Sequence, residues 1–308
     1  MAKRFIDCGA SDFRNMNKYE ILKSIAQSEG RVLACETIGA VQPMLGNLTN
    51  AELAAAMGAD FLILNMFDVN DPFLWGMPPV EKGEIIRELK RLTGRIIGIE
   101  LEPQDGSYPG AEDEDGERMA DGRLATLQNA QKACAMGADL IVLTGSPAAL
   151  AQNPAIIDSL REISKELGDR VILAAGKVHP SGMLKESGQK LITKDDIRLF
   201  ADAGADLILL PAPGTVPGIT MEYIRSLVEF AHNAGALTMT TVGTSQEGAD
   251  PDTIRQIALM CKMTGTDIHH LGDTGYVGMA LPENIMAYSI AIKGVRHTYR
   301  RMARSINR

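Results

Sequence analysis

The chain has 308 residues, 45% hydrophobic and 23% charged, with 30 Gly and 14 Pro, which supplies ample apolar material for a core and excludes disordered or collagen-like classes. A formal net charge of -8 gives no overall attraction to nucleic acid or to an anionic membrane surface. The four cysteines (Cys8, Cys35, Cys134 and Cys261) form no Cys-x-x-Cys pair, the start has no hydrophobic leader, and no apolar run approaches the ~18 residues of a membrane span, so a reduced, cytoplasmic protein is expected.

In chain order, residues 1–30 read as an extension whose helix, Met16 to Ser28, covers the bottom of the main domain. Gly30-Arg31 then opens a first strand in VLACETIG, and Thr49-Asn50 starts the helix AELAAAMGAD. Gly58-Ala59-Asp60 opens FLILNMF, Pro78-Pro79 precedes the helical VEKGEIIRELKRL, and Gly94-Arg95 opens IIGIELEP. A helix over Arg123 to Met136 leads to Gly137-Ala138-Asp139 and LIVLTG; Asn153-Pro154 starts a helix that ends at Gly168 before VILAAGKV. Thr193 starts KDDIRLFADAG, and Gly204-Ala205-Asp206 opens LILLPAP. A helix over Thr220 to Ala234 precedes Gly235 and ALTMTTVG, Asp250-Pro251 starts DTIRQIALMCKM, and Gly265-Thr266-Asp267 opens IHHLGD before a long last helix, Leu281 to Ile306.

Two junction types therefore alternate. The Gly-Ala/Thr-Asp copies stand roughly 60 to 80 residues apart, the length of two strand-helix units, and a second glycine junction falls between each pair. A helix that ends left-handed favours glycine. The strands are apolar without alternation, as parallel strands covered on both faces are. Eight strands interleaved with eight helices predict one (β/α)8 barrel over residues 31–308, a single domain with the 1–30 extension.

In such a barrel the chemistry lies at the C-terminal ends of the strands. The residues expected there include Glu36, Asn65, Asp68, Glu100, Glu102, Thr144, Lys177, His179, Gly214, Thr241, Gly243, Thr244, Ser245, His269, His270, Gly272, Asp273, Thr274 and Gly275. Glu100 and Glu102 are two apart on a strand and point the same way if strand geometry persists, as a divalent-metal (Mg, Mn or Zn) or acid/base pair, with Asp68 as a further ligand; the alternatives are outward-facing caps or a pair with Lys177. Lys177 suits an anion or a Schiff base with a carbonyl substrate. His269 and His270 alternate, so at most one faces the lumen as an acid/base group. No nucleotide-cofactor fingerprint is present.

Three consecutive mouth loops are glycine-rich, PAPGTVPG at 211–218, VGTSQEG at 242–248 and GDTGYVG at 272–278. Here the chain resembles the phosphate-binding (β/α)8 barrels, with Gly243, Thr244, Gly272, Thr274 and Gly275 at the places of their phosphate loops. That resemblance implies backbone amides gripping an anion, and Asp273 departs from it, since a carboxylate repels phosphate. Two longer segments look like covers: 68–79, with Trp75, Phe73 and Leu74, which closes over a substrate or packs on the barrel rim or a neighbouring subunit, and the acidic 103–122, which lacks calcium-loop spacing and reads better as a solvated, mobile face. The basic run Arg296, Arg300, Arg301, Arg304 and Arg308 complements the dipole of the last helix.

Three functions remain open on these residues: a lyase of aldolase type or an isomerase acting on a small phosphorylated or carboxylated metabolite through mouth carboxylates, with or without a divalent metal; a metal-free Schiff-base aldolase using Lys177; and a non-catalytic ligand sensor or scaffold. Trp75 and the last helix offer surface for a homo-oligomer.

Overall fold

The computed structural model describes residues 3–103, 119–144, 153–179 and 188–308. Its eight strands, β1 (Val32–Ile38), β2 (Phe61–Asn65), β3 (Ile96–Leu101), β4 (Leu140–Leu143), β5 (Ile172–Gly176), β6 (Leu207–Pro211), β7 (Leu237–Val242) and β8 (Ile268–Leu271), are all parallel and close in chain order, β8 pairing with β1. The helices are α1 (Ala10–Phe13), α2 (Lys18–Ala26), α3 (Asn50–Ala56), α4 (Ile85–Thr93), α5 (Leu127–Met136), α6 (Asn153–Leu167), α7 (Lys194–Ala203), α8 (Met221–Asn233), α9 (Pro251–Thr264) and α10 (Pro282–Ala303). This is a (β/α)8 TIM barrel, as the interleaved junctions predict. No helix among the described residues is long and apolar enough to cross a membrane.

The unbroken apolar character of the strands serves two separate cores. Alternate residues such as Val32, Ala34, Phe61, Ile63, Ile96, Leu140, Val142, Leu207 and Met239 fill the barrel interior, and their neighbours Leu33, Leu62, Ile97, Ile141 and Ile208 pack under the helices. The interior cluster continues into Phe5, Cys8, Phe13, Ile21 and Ile25, so the N-terminal extension plugs the bottom of the barrel. The C-terminal arginines serve that plug. Arg301 is buried and donates to the carbonyls of Phe5 and Cys8 at 2.9 and 3.1 Å, and Arg304 donates to that of Asp7 at 2.8 Å, which explains the basic run better than a helix dipole does. The last helix is also broken at Gly294, whose φ of 75° and ψ of 162° no helix contains.

The recurring Asp has a single physical role. Asp60 accepts the amide of Leu33 at 2.9 Å, Asp139 that of Ile97 at 3.0 Å, Asp206 that of Leu173 at 2.8 Å and Asp267 that of Thr238 at 2.8 Å. Each even strand therefore begins by tying down the start of the strand before it. Each carboxylate also meets a basic side chain: Lys293 and Arg301 for Asp60, Lys90 for Asp139, Lys18 for Asp206 and His232 for Asp267.

The glycine at these junctions is required by space as well as backbone. Gly204 has φ +108°, and a Cβ there would stand 2.0 Å from Ser164 Oγ. Gly168 differs from the expectation: it is not left-handed, and close approach to the Ser164 carbonyl, 2.5 Å from an added Cβ, is what excludes a side chain. Helix starts follow the caps, with Thr49 and Thr193 accepting the amides of Glu52 and Asp196. Two starts lie later than the sequence pattern suggests. A 3-10 turn over Lys82–Glu84 precedes α4, and α5 begins after Thr126 because Arg123 is held at the mouth by Glu102, whose amide donates to the Arg123 carbonyl at 2.8 Å.

Candidate active site

A cavity of about 380 Å³ opens at the C-terminal ends of the strands. Its floor is the uppermost layer of the interior core, including Ile63, Val142, Leu209 and Met239. Above that layer the alternation continues with polar side chains: Glu36 on β1, Asn65 on β2, Glu100 and Glu102 at the end of β3, Thr144 after β4, Thr241 on β7 and His270 on β8. The two-residue period thus carries the interior face from apolar to ionisable within one rung.

Glu36 lies at the centre of this ring. Its Oε2 is 3.0 Å from Nε2 of His270, and its carboxyl hydrogen-bonds to Asn65 and to Asp273. Asn65 Nδ2 donates to Asp273 Oδ2 at 2.8 Å, and the Gly275 amide donates to Asp273 Oδ1 at 2.8 Å. Two carboxyls can bond to each other only when one carries a proton. Burial is the largest cause that pushes both upward, Glu36 to about 7 and Asp273 to about 7, with the Glu36 charge adding to the rise of Asp273. Glu100 is held well above the usual carboxylate range, first by burial and then by the charges of Glu36, Glu102 and Asp273. Burial also raises Glu247, and it lowers His270 to about 4, so this imidazole is neutral at pH 7. His179 is lowered by burial and by His270.

Backbone strain concentrates on the same rim. Among residues other than glycine, positive φ occurs at Met66 (55°), Thr244 (55°), Ser245 (70°) and Thr274 (61°), all in loops just after β2, β7 and β8; Glu29 (53°) is at the barrel bottom. Each such residue costs on the order of 1–3 kcal/mol and persists where the surroundings impose it, a pattern common at functional sites. Met66, Thr244 and Ser245 line the cavity.

The structure sorts the residues expected from the sequence. Glu36, Asn65, Glu100, Glu102, Gly243, Thr244, Ser245, His270, Gly272 and Gly275 all line one cavity, together with His179, Glu247 and Asp273. Glu102 pairs not with Lys177 but with Arg123, Nη2 to Oε1 at 2.5 Å. His269 points out of the barrel, hydrogen-bonded to Tyr288 and to the Gly30 carbonyl, and burial lowers it to about 3; it has no place in the cavity, because its parity is opposite to that of His270. Lys177 is buried between Gly176 and the cavity-lining Val178, and by the same alternation does not line the cavity. Asp68 accepts the amides of Asn70 and Asp71 in its own turn and is likewise outside. Gly214 packs toward Met260 and Ile257 of α9, and Thr274 toward Gly248, so neither joins the lining.

No group of three or more His, Cys, Asp or Glu among the described residues is placed to hold a metal ion. The 68–79 segment is not a lid: Leu74 is buried against Gly39, the Trp75 amide donates to the Gly39 carbonyl at 2.9 Å, and the edge-on Phe73 and Trp75 rings remain half exposed away from the cavity. Most of the acidic 103–122 segment lies outside the described residues. Arg123 and Glu247 are the functional candidates that the strand pattern alone does not reach, since both come from loops folded back over the mouth. Only the unusual length of the 103–122 connection points toward Arg123.

A family model described as "Domain of unknown function (DUF7916)" matches residues 6–308. No curated protein matches the chain. Among solved structures, the chain is similar to an archaeal fructose-1,6-bisphosphate aldolase with its catalytic Lys covalently bound to the carbinolamine intermediate of the substrate (TM-score 0.57, 12% identity, covering 90% of this chain and 99% of that one). It is also similar to the carboxyl transferase domain of Rhizobium etli pyruvate carboxylase (TM-score 0.56, 13% identity, covering 95% and 52%) and to a Schiff-base-forming fructose-1,6-bisphosphate aldolase (TM-score 0.55, 11% identity, covering 90% and 98%). At these identities the shared property is the barrel.

Proposed function

The chain belongs to the DUF7916 family, and we propose that it is a proton-transfer enzyme of the lyase or isomerase type acting on a small metabolite that carries a carbonyl or hydroxyl group. One observation carries the reading: Glu36 lies in a barrel-mouth cavity with its Oε2 3.0 Å from Nε2 of His270 and its carboxyl hydrogen-bonded to Asp273, and burial there raises it to about 7. A general base works best when its pKa is near the working pH. Glu100, whose carboxyl burial and the neighbouring acids raise well above the usual range, is the complementary acid on the same wall.

In this reading Glu36 removes a proton from a carbon next to the substrate carbonyl, or from a hydroxyl whose C–C bond then breaks, and Glu100 protonates the oxygen on which charge develops. His270 and Asn65 hold the Glu36–Asp273 pair in place. Asp273 stores the shared proton. The charged and titratable groups around Glu36 are His270, Asp273, Glu247, Glu100, Glu102, His179 and Arg123, and only the last is a fixed cation.

The test is solvent deuterium incorporation, followed by mass spectrometry, over a panel of hydroxy-aldehydes and hydroxy-ketones with and without phosphate or carboxylate ends. Exchange or cleavage of a panel member by the wild-type protein, lost in Glu36→Gln, supports the proposal. Turnover that survives Glu36→Gln sinks it.

A further inference from the structure

The described cavity wall holds five carboxyl side chains, Glu36, Glu100, Glu102, Glu247 and Asp273, and its one permanent cation, Arg123, is already engaged by Glu102. A phosphate or carboxylate bound there would face like charges on most sides. Three of the acidic and hydroxylic groups stand together on the β3–β4 side. Glu100 and Glu102 are two residues apart with the same parity, and the β3–β4 register that pairs Glu100 with Val142 ends at Leu101 and Leu143, one residue before Glu102 and Thr144.

This side of the wall has unused hydrogen-bonding capacity. Thr144 is 6% exposed, and its Oγ1 has no partner; Glu102 is 3% exposed, and its Oε2 has none either. Buried polar atoms are almost always paired, so such a cluster on a cavity wall marks where a ligand group belongs. Glu247 Oε2 is a further acceptor without a partner; against these acceptors stands one lone obligate donor on the wall, Arg123 Nε. The missing group is therefore a donor.

We propose that the ligand of this cavity carries a protonated primary amine that docks against Glu102 and Thr144, leaving Glu100 as the acid of the reaction. An ammonium has three N–H donors and no acceptor, which fits the unpartnered Oε2 of Glu102 and Oγ1 of Thr144 on one cavity wall. A divalent ion is a poorer occupant, because no three His, Cys, Asp or Glu among the described residues are placed to hold one. The proposal rests on the reading of this cavity as the substrate site, and it gives that site a substrate class.

Isothermal calorimetry and thermal shift with three matched probes, glucosamine, glucose and glucose 6-phosphate, plus Mg²⁺ alone, test it on the full chain. Glucosamine is expected to bind at least about tenfold more tightly than glucose, and Thr144→Val and Glu102→Gln are each expected to weaken it about tenfold. If Glu102→Gln does not fold, because Arg123 loses its partner, Thr144→Val and the wild-type probe ranking still decide. Glucose 6-phosphate or Mg²⁺ binding more tightly than glucosamine, or glucosamine binding no better than glucose, overturns the proposal. Amine binding without proton exchange on any substrate would leave this inference standing and remove the proton-transfer reading. Exchange on a phosphorylated substrate without amine binding would do the reverse.

Discussion

Nε2 of His270 lies 3.0 Å from Oε2 of Glu36, a contact across the seam where the last strand closes onto the first. The barrel cannot close in another register without separating these two groups, so the fold and the candidate base are specified together. Glu36→Gln is expected to lower kcat by about 10²- to 10⁴-fold, the usual worth of a general base. His270→Gln, which changes only the positioning of Glu36, is expected to lower kcat less and to shift the pH dependence. Steady-state kinetics with the substrate found in the exchange panel check both.

The pH profile follows from the same groups. Glu36 must be ionised to act as the base, so kcat/KM rises with pH through about 7. Glu100 must stay protonated, and because its carboxyl is held well above the usual range, the falling limb lies on the alkaline side. A bell with its acid limb near 4 would contradict the assignment of Glu36.

Stability runs the opposite way with pH. Glu36 and Asp273 are both raised to about 7 in the folded protein, whereas in the unfolded chain they titrate near their ordinary values of 4.5 and 3.8. Between those limits the folded state binds more protons, so stability is lost as pH rises from the ordinary values through about 7. Tm is expected to fall between pH 5 and pH 8, and the doubly neutral variant Glu36→Gln/Asp273→Asn is expected to flatten that fall.

Among the four strand-tying aspartates, Asp60 should be the most sensitive. Its carboxylate is fully buried against Lys293 and Arg301, whose side chains are 1% and 2% exposed. Asp60→Asn leaves two buried cations short of their counter-charge and is expected to cost about 3–5 kcal/mol in urea unfolding. Asp139→Asn should cost less, since Asp139 and its partner Lys90 are partly open to water, at 18% and 32%.

Ser245 has φ 70° on the cavity rim, where a glycine sits without strain. Ser245→Gly is expected to raise the unfolding free energy by about 1 kcal/mol. A loss of stability would show that its side chain does more than the backbone conformation suggests.

Borohydride reduction in the presence of fructose 1,6-bisphosphate is expected to leave the mass of the protein unchanged at Lys177, because that side chain does not line the cavity. An adduct on Lys177 would restore the Schiff-base alternative.

The sequence by itself determined the barrel. Glycine at the helix ends, Asp at four strand starts and strands apolar on both faces are local requirements, and each is readable from a few adjacent residues. It also placed Glu36, Asn65, Glu100, Glu102, Gly243, Thr244 and Ser245 at the mouth, because the end of a strand is a local event. Only the tertiary structure decided which parity faces inward. That choice separated His270 from His269 and removed Lys177, since a shift of one residue exchanges the two faces of a strand. Tertiary structure alone also brought Asp273 onto Glu36 and Arg123 onto Glu102. Those pairings join residues far apart in the chain, and the buried charge interactions that set their protonation do not exist until the barrel closes.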